Sequence, residues 1–429
     1  MLRHSPPLPL IVDIESMFLD TTRSYHNITS ALQYPDRVVS ISVDTWMMDL
    51  ELSMALDKTF PALETFSLLV AVSESPDHQS LFFPNGFSAP HLHVLYLGNV
   101  DIIEVPSLIS SAATSLVSLR FEQIEACSYF PPDELAECVS SMPQLEKLSI
   151  GFLSSFCLPD TEREFWDARI TRIVLPSLQK LTFRGDSAYL EKLLALISTP
   201  LLQCFDVEFF PQCTLAVQHV SEFLFTIQNL DFRAVTVSFS NTVTITYGPR
   251  PTQTSDSLSC VMSDIDDETD RLNQQVATMT RISASVGPAL KAVEDVALKF
   301  DRCYVPDDFP VRSELWRTFL RSFGALRTLR TDVAIIPELS KVLNPDNGTA
   351  EEELLPMLSE LIVVSRIDLV HNPFASLIHA RSLAGRAINF QVIKRHSPPP
   401  RTSVSGPFDP LYERYDSTMD FDYANLIID

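Results

Sequence analysis

Two imidazoles, His91 and His93, bracket Leu92, and an acidic run, Asp264-Ile-Asp-Asp-Glu-Thr-Asp270, follows later in the chain. These spacings come nearest to a metal site. Histidines at i and i+2 share one side of a strand, which suits two ligands of an ion. No cysteine or second histidine pair stands at a matching spacing, however, and two imidazoles alone hold an ion poorly. The acidic run has the outline of a calcium loop, yet Thr269 fills the sixth position, where such a loop turns on glycine. Gln275 sits where the bidentate glutamate belongs. The expectation is a solvated acidic loop, with no metal and no cofactor.

Signatures of covalent and hydrolytic catalysis are missing too, since neither a G-x-S-x-G elbow nor an H-E-x-x-H pair occurs. The ten glycines form no G-x-G-x-x-G and no Walker loop, which speaks against nucleotide chemistry on a doubly wound sheet. Carboxylates are plentiful, but spacing singles out no acid–base pair. Trp46, Trp166 and Trp316 sit amid helical or mixed patterns and read as core. Ser397-Pro398 could accept a phosphate, while Asn27-Ile-Thr29 and Asn347-Gly-Thr349 match glycosylation sequons by chance. The expectation is a protein that is not an enzyme.

The elements that position side chains are more legible. A phrase of proline or a small residue followed by Leu-x-x-Leu-x-Leu recurs as Phe60-Pro-Ala-Leu-Glu-Thr-Phe-Ser-Leu68, Ala89-Pro-His-Leu-His-Val-Leu-Tyr-Leu97 and Met142-Pro-Gln-Leu-Glu-Lys-Leu-Ser-Ile150. Further copies begin at Leu175 and Thr199. The first leucine-type positions, Val38, Leu63, Leu92, Leu116, Leu145, Leu178 and Leu202, lie 25, 29, 24, 29, 33 and 24 residues apart. A weaker copy spans Phe232 to Val237, a degenerate one is expected around Leu258 to Val261, and the pattern resumes at Val293, Leu326 and Leu358. Helical periodicity fills the gaps. It runs over Asp186–Ile197 with Asp186 as N-cap, over Ser313–Phe323, over Pro132–Ser141 and over Val220–Leu230, and the proline of the next phrase is expected to end each helix.

Strand, loop, helix and proline at this interval predict an α/β leucine-rich-repeat solenoid, with a curved parallel β-sheet on the concave side and helices on the convex side. Residues 1–15 read as a lead-in and 16–394 as an irregular array with a polar excursion at about 249–270. Residues 395–429 read as a disordered tail rich in Pro and Asp. Within each phrase the leucines point inward and the residue between the last two projects outward, because strand side chains alternate. Those residues are Ser42, Ser67, Tyr96, Arg120, Ser149, Thr182, Asp206, Ala297, Arg330 and Ile362. Tyr96, Arg120, Ser149, Thr182, Asp206 and Arg330 are the candidate partner-binding set on the concave face, led by the tyrosine and the arginines, types that dominate interface hot spots.

Composition narrows the partner. The charge, 32 − 55 = −23, argues against nucleic acid, whose phosphates need clustered Lys and Arg. No stretch approaches the about 20 apolar residues of a membrane helix, and the start, broken by Pro9 and Asp13, is not a secretory signal. Seven scattered cysteines without a Cys-x-x-Cys pair point to free thiols in a reducing, intracellular compartment, cytoplasmic or nuclear.

The phrases and their order resemble the fungal leucine-rich-repeat proteins that usually carry an N-terminal F-box. The residues that carry the resemblance are Pro9-Leu-Ile-Val-Asp13, Ala31-Leu-Gln33, Asp36-Arg-Val-Val39, Tyr129-Phe-Pro-Pro-Asp-Glu-Leu135, Ser141-Met-Pro-Gln-Leu-Glu-Lys-Leu148, Ser187-Ala-Tyr-Leu190 and Phe374-Ala-Ser-Leu-Ile-His-Ala-Arg-Ser-Leu-Ala-Gly-Arg386. In that family the F-box docks on the Skp-type adaptor of a cullin–RING ubiquitin ligase and the repeats collect the substrate. Here family-like repeat sequence begins within the first dozen residues, without the helical pattern of an F-box ahead of it. The resemblance implies a substrate-recruiting interaction module lacking its F-box, with a Skp-type adaptor as partner only if an F-box exists. A stand-alone scaffold unconnected to ubiquitin is the alternative.

Overall fold

A computed structural model describes residues 8–15, 28–45, 50–70, 86–99, 109, 111–125, 129–154, 172–210, 218–226, 233–239, 243–248, 258–262, 271–285, 287–300, 313–344, 354–365 and 371–394. The acidic run 264–270, Trp46, Trp166, Ser397, both sequons' asparagines and the tail 395–429 lie outside them. The chain divides into two units, residues 1–230, 241–243 and 257–266 in the first and 231–240, 244–256 and 267–429 in the second.

In the first unit β1 (Leu10–Glu15), β2 (Val38–Thr45), β3 (Thr65–Val70), β4 (Val94–Gly98), β5 (Ser118–Ile124), β6 (Lys147–Phe152), β7 (Lys180–Gly185) and β8 (Cys204–Phe209) lie side by side in chain order. Each neighbouring pair is parallel. The chain next forms β9 (Ala234–Phe239), in the second unit, and β10 (Val243–Gly248), which belongs to the second unit from Thr244 onward, then returns with β11 (Leu258–Met262) to lie parallel against β8. The degenerate copy expected near Leu258 is therefore a strand. The second unit continues with β12 (Asp295–Phe300), β13 (Thr328–Asp332), β14 (Glu360–Ser365) and β15 (Asn389–Lys394); β12 pairs in parallel with β9, and each later strand in parallel with the one before it.

One pair departs from the repeat grammar. β9 and β10 are neighbours with three residues between them, far fewer than a parallel crossover needs, so they form an antiparallel hairpin. The described helices of seven residues or more are α1 (Leu50–Leu56), α2 (Pro132–Ser140), α3 (Ser187–Leu196), α4 (Gln218–Thr226), α5 (Arg271–Ser285), α6 (Ser313–Arg321), α7 (Ile336–Leu343) and α8 (Ala375–Leu383). Alternating strand and helix with parallel pairing is the leucine-rich-repeat architecture.

The registers explain why leucine recurs. Ile41, Phe66, Leu95, Leu119, Leu148, Leu181 and Phe205 are partners across successive strands, and none is more than 1% exposed. Each such side chain contributes about 1.5–3 kcal/mol by leaving water. The helices close this side: Phe205 meets Phe223 of α4 at 5.6 Å, and Phe239 of β9 meets Trp316 of α6 at 5.7 Å. Two segments of the family resemblance also meet there. Tyr189 of α3 donates its hydroxyl to the Phe130 carbonyl (2.8 Å), and its ring packs edge-on against Tyr129 and Phe152. A Cβ at Gly185 would stand 2.6 Å from the Phe152 ring, so glycine is what lets this aromatic cluster close.

The phrase prolines have a different role from the one the sequence suggests. α2 ends at Ser140 and α3 at Leu196, before Pro143 and Pro200 are reached. Each proline instead takes the second position of a turn closed by the following leucine's N–H, as in Leu63 to Phe60 O (3.3 Å), Leu92 to Ala89 O (3.1 Å) and Leu145 to Met142 O (3.2 Å). Its fixed φ suits that position. Leu326 to Phe323 O (3.3 Å) closes the same turn with Gly324 in the proline's place. Asp186 does occupy the N-cap of α3 in an extended conformation, yet its side chain makes no cap bond. A side-chain cap is supplied to the next helix: buried Glu191 accepts from the N–H groups of His219 (2.5 Å) and Val220 (2.9 Å) in the first turn of α4. Burial raises the Glu191 pKa against the lowering effect of those two bonds.

Candidate functional site

The face of the first unit's sheet opposite the helices carries the candidate site. Side-chain alternation sends every second residue of a strand there. Ser42, Ser67, Tyr96, Arg120, Ser149, Thr182 and Asp206 are register partners on β2 to β8, one per strand in a single row. Five of the six candidate residues, Tyr96, Arg120, Ser149, Thr182 and Asp206, thus stand on successive strands. Arg330 belongs to the second unit, in the row Ala297, Arg330, Ile362 and Gln391.

The row is knit into ion pairs. Arg120 pairs with Glu122 on its own strand and lies over the Tyr96 ring, 4.9 Å from its centroid. The Tyr96 hydroxyl donates to the other Glu122 carboxylate oxygen at 3.0 Å. Glu122 reaches both because it shares a face with Arg120 two residues away and stands opposite Gly98, two residues from Tyr96 on β4; beyond it the pairing with β6 shifts between Phe121 and Ile124, and Gln123 adopts φ 53°. Towards β8, Lys180 meets Asp206 at 3.2 Å and Arg184 meets Glu208 at 3.4 Å. Burial lowers the Lys180 pKa, but Asp206, with Cys204 behind it, outweighs burial and leaves it above its ordinary value. Arg120 opposes that rise.

In the second unit the outward row is partly closed. Arg330 bonds Asp295 at 3.0 Å, and Glu360 accepts from Thr328 at 3.2 Å and from Gln391 at 3.3 Å. Ala297 and Ile362, expected to project freely, are only 4% and 6% exposed. Sequence alternation gives a side chain's direction, not what lies over it. Asp295 is pushed up in pKa first by burial, with Arg330 pulling it back.

The histidine pair is not on a strand. His91 and His93 lie in the turn ahead of β4, both exposed, and no group of potential metal ligands exists among the described residues. Cys138 and Cys204 are free thiols. No helix among the described residues is long and apolar enough to cross a membrane. Sequence reading missed Glu122, Lys147, Lys180 and Arg184. All four stand two residues from a named outward position, so period two carried the signal.

No protein-family model matches the chain, and no curated protein matches it. Among solved structures it is similar to the leucine-rich repeat-containing protein LegL7 from Legionella pneumophila, at 13% identity and a TM-score of 0.31 over 80% of this chain and 98% of that one. It is also similar to TLR13 in a complex described as TLR13–ssRNA13, at 10% identity and a TM-score of 0.31 over 91% of this chain. The match spans about half, 51%, of the TLR13 chain. Both likenesses are weak, and the repeat architecture stands on the strand registers and turns.

Proposed function

We propose that the chain is a non-catalytic protein-interaction module whose partner docks on the open face of the first unit's sheet. The observation that carries this is the single register row of Tyr96, Arg120, Ser149, Thr182 and Asp206. A tyrosine and an arginine held together beside small hydroxyl residues give a partner an anchor and a close approach to the backbone. Recruitment of substrates to a cullin–RING ubiquitin ligase is the finer reading, supported by the family resemblance of the repeats. A stand-alone scaffold is the alternative.

Affinity purification of the wild type beside a Tyr96→Ala/Arg120→Ala variant tests the reading. Partners held by the wild type and lost by the variant support it; an identical set on both overturns it. A Skp-type adaptor and a cullin among the captured proteins would add the ligase assignment, and stable partners without them would leave the scaffold.

A further inference from the structure

The open face reverses the sign of the rest of the molecule over three strands. On β5, β6 and β7 the outward residues are Ser118, Arg120 and Glu122, then Lys147, Ser149 and Gly151, then Lys180, Thr182 and Arg184. Four cations stand there against one carboxylate, in a chain of net charge −23. Asp206 and Glu208 of β8 balance only one margin, through Lys180 and Arg184. Glu122 balances the other, through Arg120. Lys147, on the middle strand and exposed, has no ion pair among the described residues. Around it Ser149 and Thr182 present hydroxyls, and Gly151 presents no side chain.

Like charges on adjacent strands cost free energy unless an anion joins them, and of these four cations Lys147 alone has none among the described residues. Resting on the open-face reading above, we propose that this patch receives an extended acidic segment of the partner, with an oxyanion, carboxylate or phosphate, seated over Lys147 between Arg120 and Lys180. Alternate residues of an extended peptide place side chains about 7 Å apart on one face. The outer cations Arg120 and Lys180, two strands apart and offset by two residues along them, are separated by about 12 Å. Acidic residues at alternate positions therefore span the patch. Ser149 and Thr182 donate to oxygens that the cations leave free, and Gly151 gives the peptide backbone room.

The test uses the full chain and fluorescein-labelled Glu-Ser-Glu-Ser-Glu, with one counterpart carrying phosphoserine at both serines and another carrying Gln for Glu. Fluorescence anisotropy is expected to show saturable binding of the first, the second or both, weakening as salt rises from about 50 mM to about 300 mM. Which of the two binds tighter names the source of the oxyanion. Lys147→Glu is expected to weaken binding at least about tenfold, while Lys341→Glu on α7, the same charge change elsewhere, leaves it unaltered. Unchanged circular dichroism shows that the exposed Lys147→Glu variant still folds. Absence of saturable binding by both acidic peptides overturns the proposal, as does equal loss in the two variants or equal binding of the Gln peptide. If the Tyr96→Ala/Arg120→Ala variant still sheds its partners while the acidic peptides fail, the docking face stands and only its acidic occupant falls.

Discussion

Replacing Arg381 should loosen the last repeats of the second unit. Arg381, on α8, is 3% exposed and sends its guanidinium to three consecutive carbonyls, Leu354 (2.8 Å), Leu355 (2.8 Å) and Pro356 (3.3 Å). Those carbonyls belong to the turn that leads into β14, closed by the Leu358 N–H on Leu355 O at 3.1 Å. Leu355 holds φ 56° there, a left-handed conformation that costs a leucine about 1–2 kcal/mol. Arg381→Met removes hydrogen bonds worth about 1 kcal/mol net each and frees the strained leucine to relax. Methionine also removes the cost of burying a charge, which offsets part of the loss. The balance is about 2–4 kcal/mol.

A two-unit chain is a poor subject for a two-state melt, so local hydrogen exchange is the better assay. The Leu358 amide and the β14 amides should exchange about thirtyfold to a thousandfold faster in Arg381→Met, at about 1.4 kcal/mol per decade. Amides of β7 in the first unit should keep their rates. Arg381→Lys, retaining one donor group, should fall between. A Leu358 amide within about threefold of wild type in the methionine variant would show that the guanidinium does not hold this turn.

Leu148→Asp places a carboxylate in the leucine row of β6 and should cost several kcal/mol, whereas Ser149→Ala beside it should change the opening free energy of the β6 amides by no more than about 0.5 kcal/mol, both read by hydrogen exchange; equal effects would refute the inward–outward assignment. Arg330→Ala removes the cation that holds Asp295 down against burial, so the Asp295 pKa should climb further above its usual 3.8. A carboxyl whose native pKa is raised loses stability as pH rises through that value, so the variant's deficit should be largest near neutrality and shrink as pH falls towards 4; a deficit that grows on acidification contradicts this. Burial, helped by Glu137, pushes the Cys138 thiol from 9.0 to about 11. Its thiolate fraction at neutral pH falls about a hundredfold, and greater thiolate basicity recovers about tenfold. Iodoacetamide should therefore label Cys138 at least about tenfold more slowly in the native than in the unfolded chain, by mass spectrometry.

The parts of this fold legible in the sequence were those set by local periodicity. Leucine at fixed offsets marked the buried rows, and alternation placed Tyr96, Arg120, Ser149, Thr182 and Asp206 in one line. What escaped depends on partners far apart in the chain. Arg330 meets Asp295 from 35 residues away, and Tyr96 meets Glu122 from 26, distances at which no repeat pattern dictates side-chain identity. The register shift at Gln123 has no residue signature, because glutamine is not a type that favours positive φ. Burial of Ala297 and Ile362 escaped for the same reason, since exposure is a property of the assembled chain. The β9–β10 pair escaped because the weaker copy at Phe232 to Val237 marked β9 alone, and no phrase marked Val243–Gly248.

The route of the backbone after α4 carries a consequence for synthesis. Having built eight strands of the first unit, the chain departs to lay down β9 and β10 and only then comes back with β11 to pair with β8. Neither unit is a continuous stretch of polypeptide, so no single cut divides the protein into two self-sufficient pieces. A nascent chain emerging from the ribosome carries β8 with a bare backbone edge until Leu258–Met262 has been made. During that interval the unguarded edge is a site where a neighbouring nascent chain can add a strand, and a chaperone that shields it would matter most there.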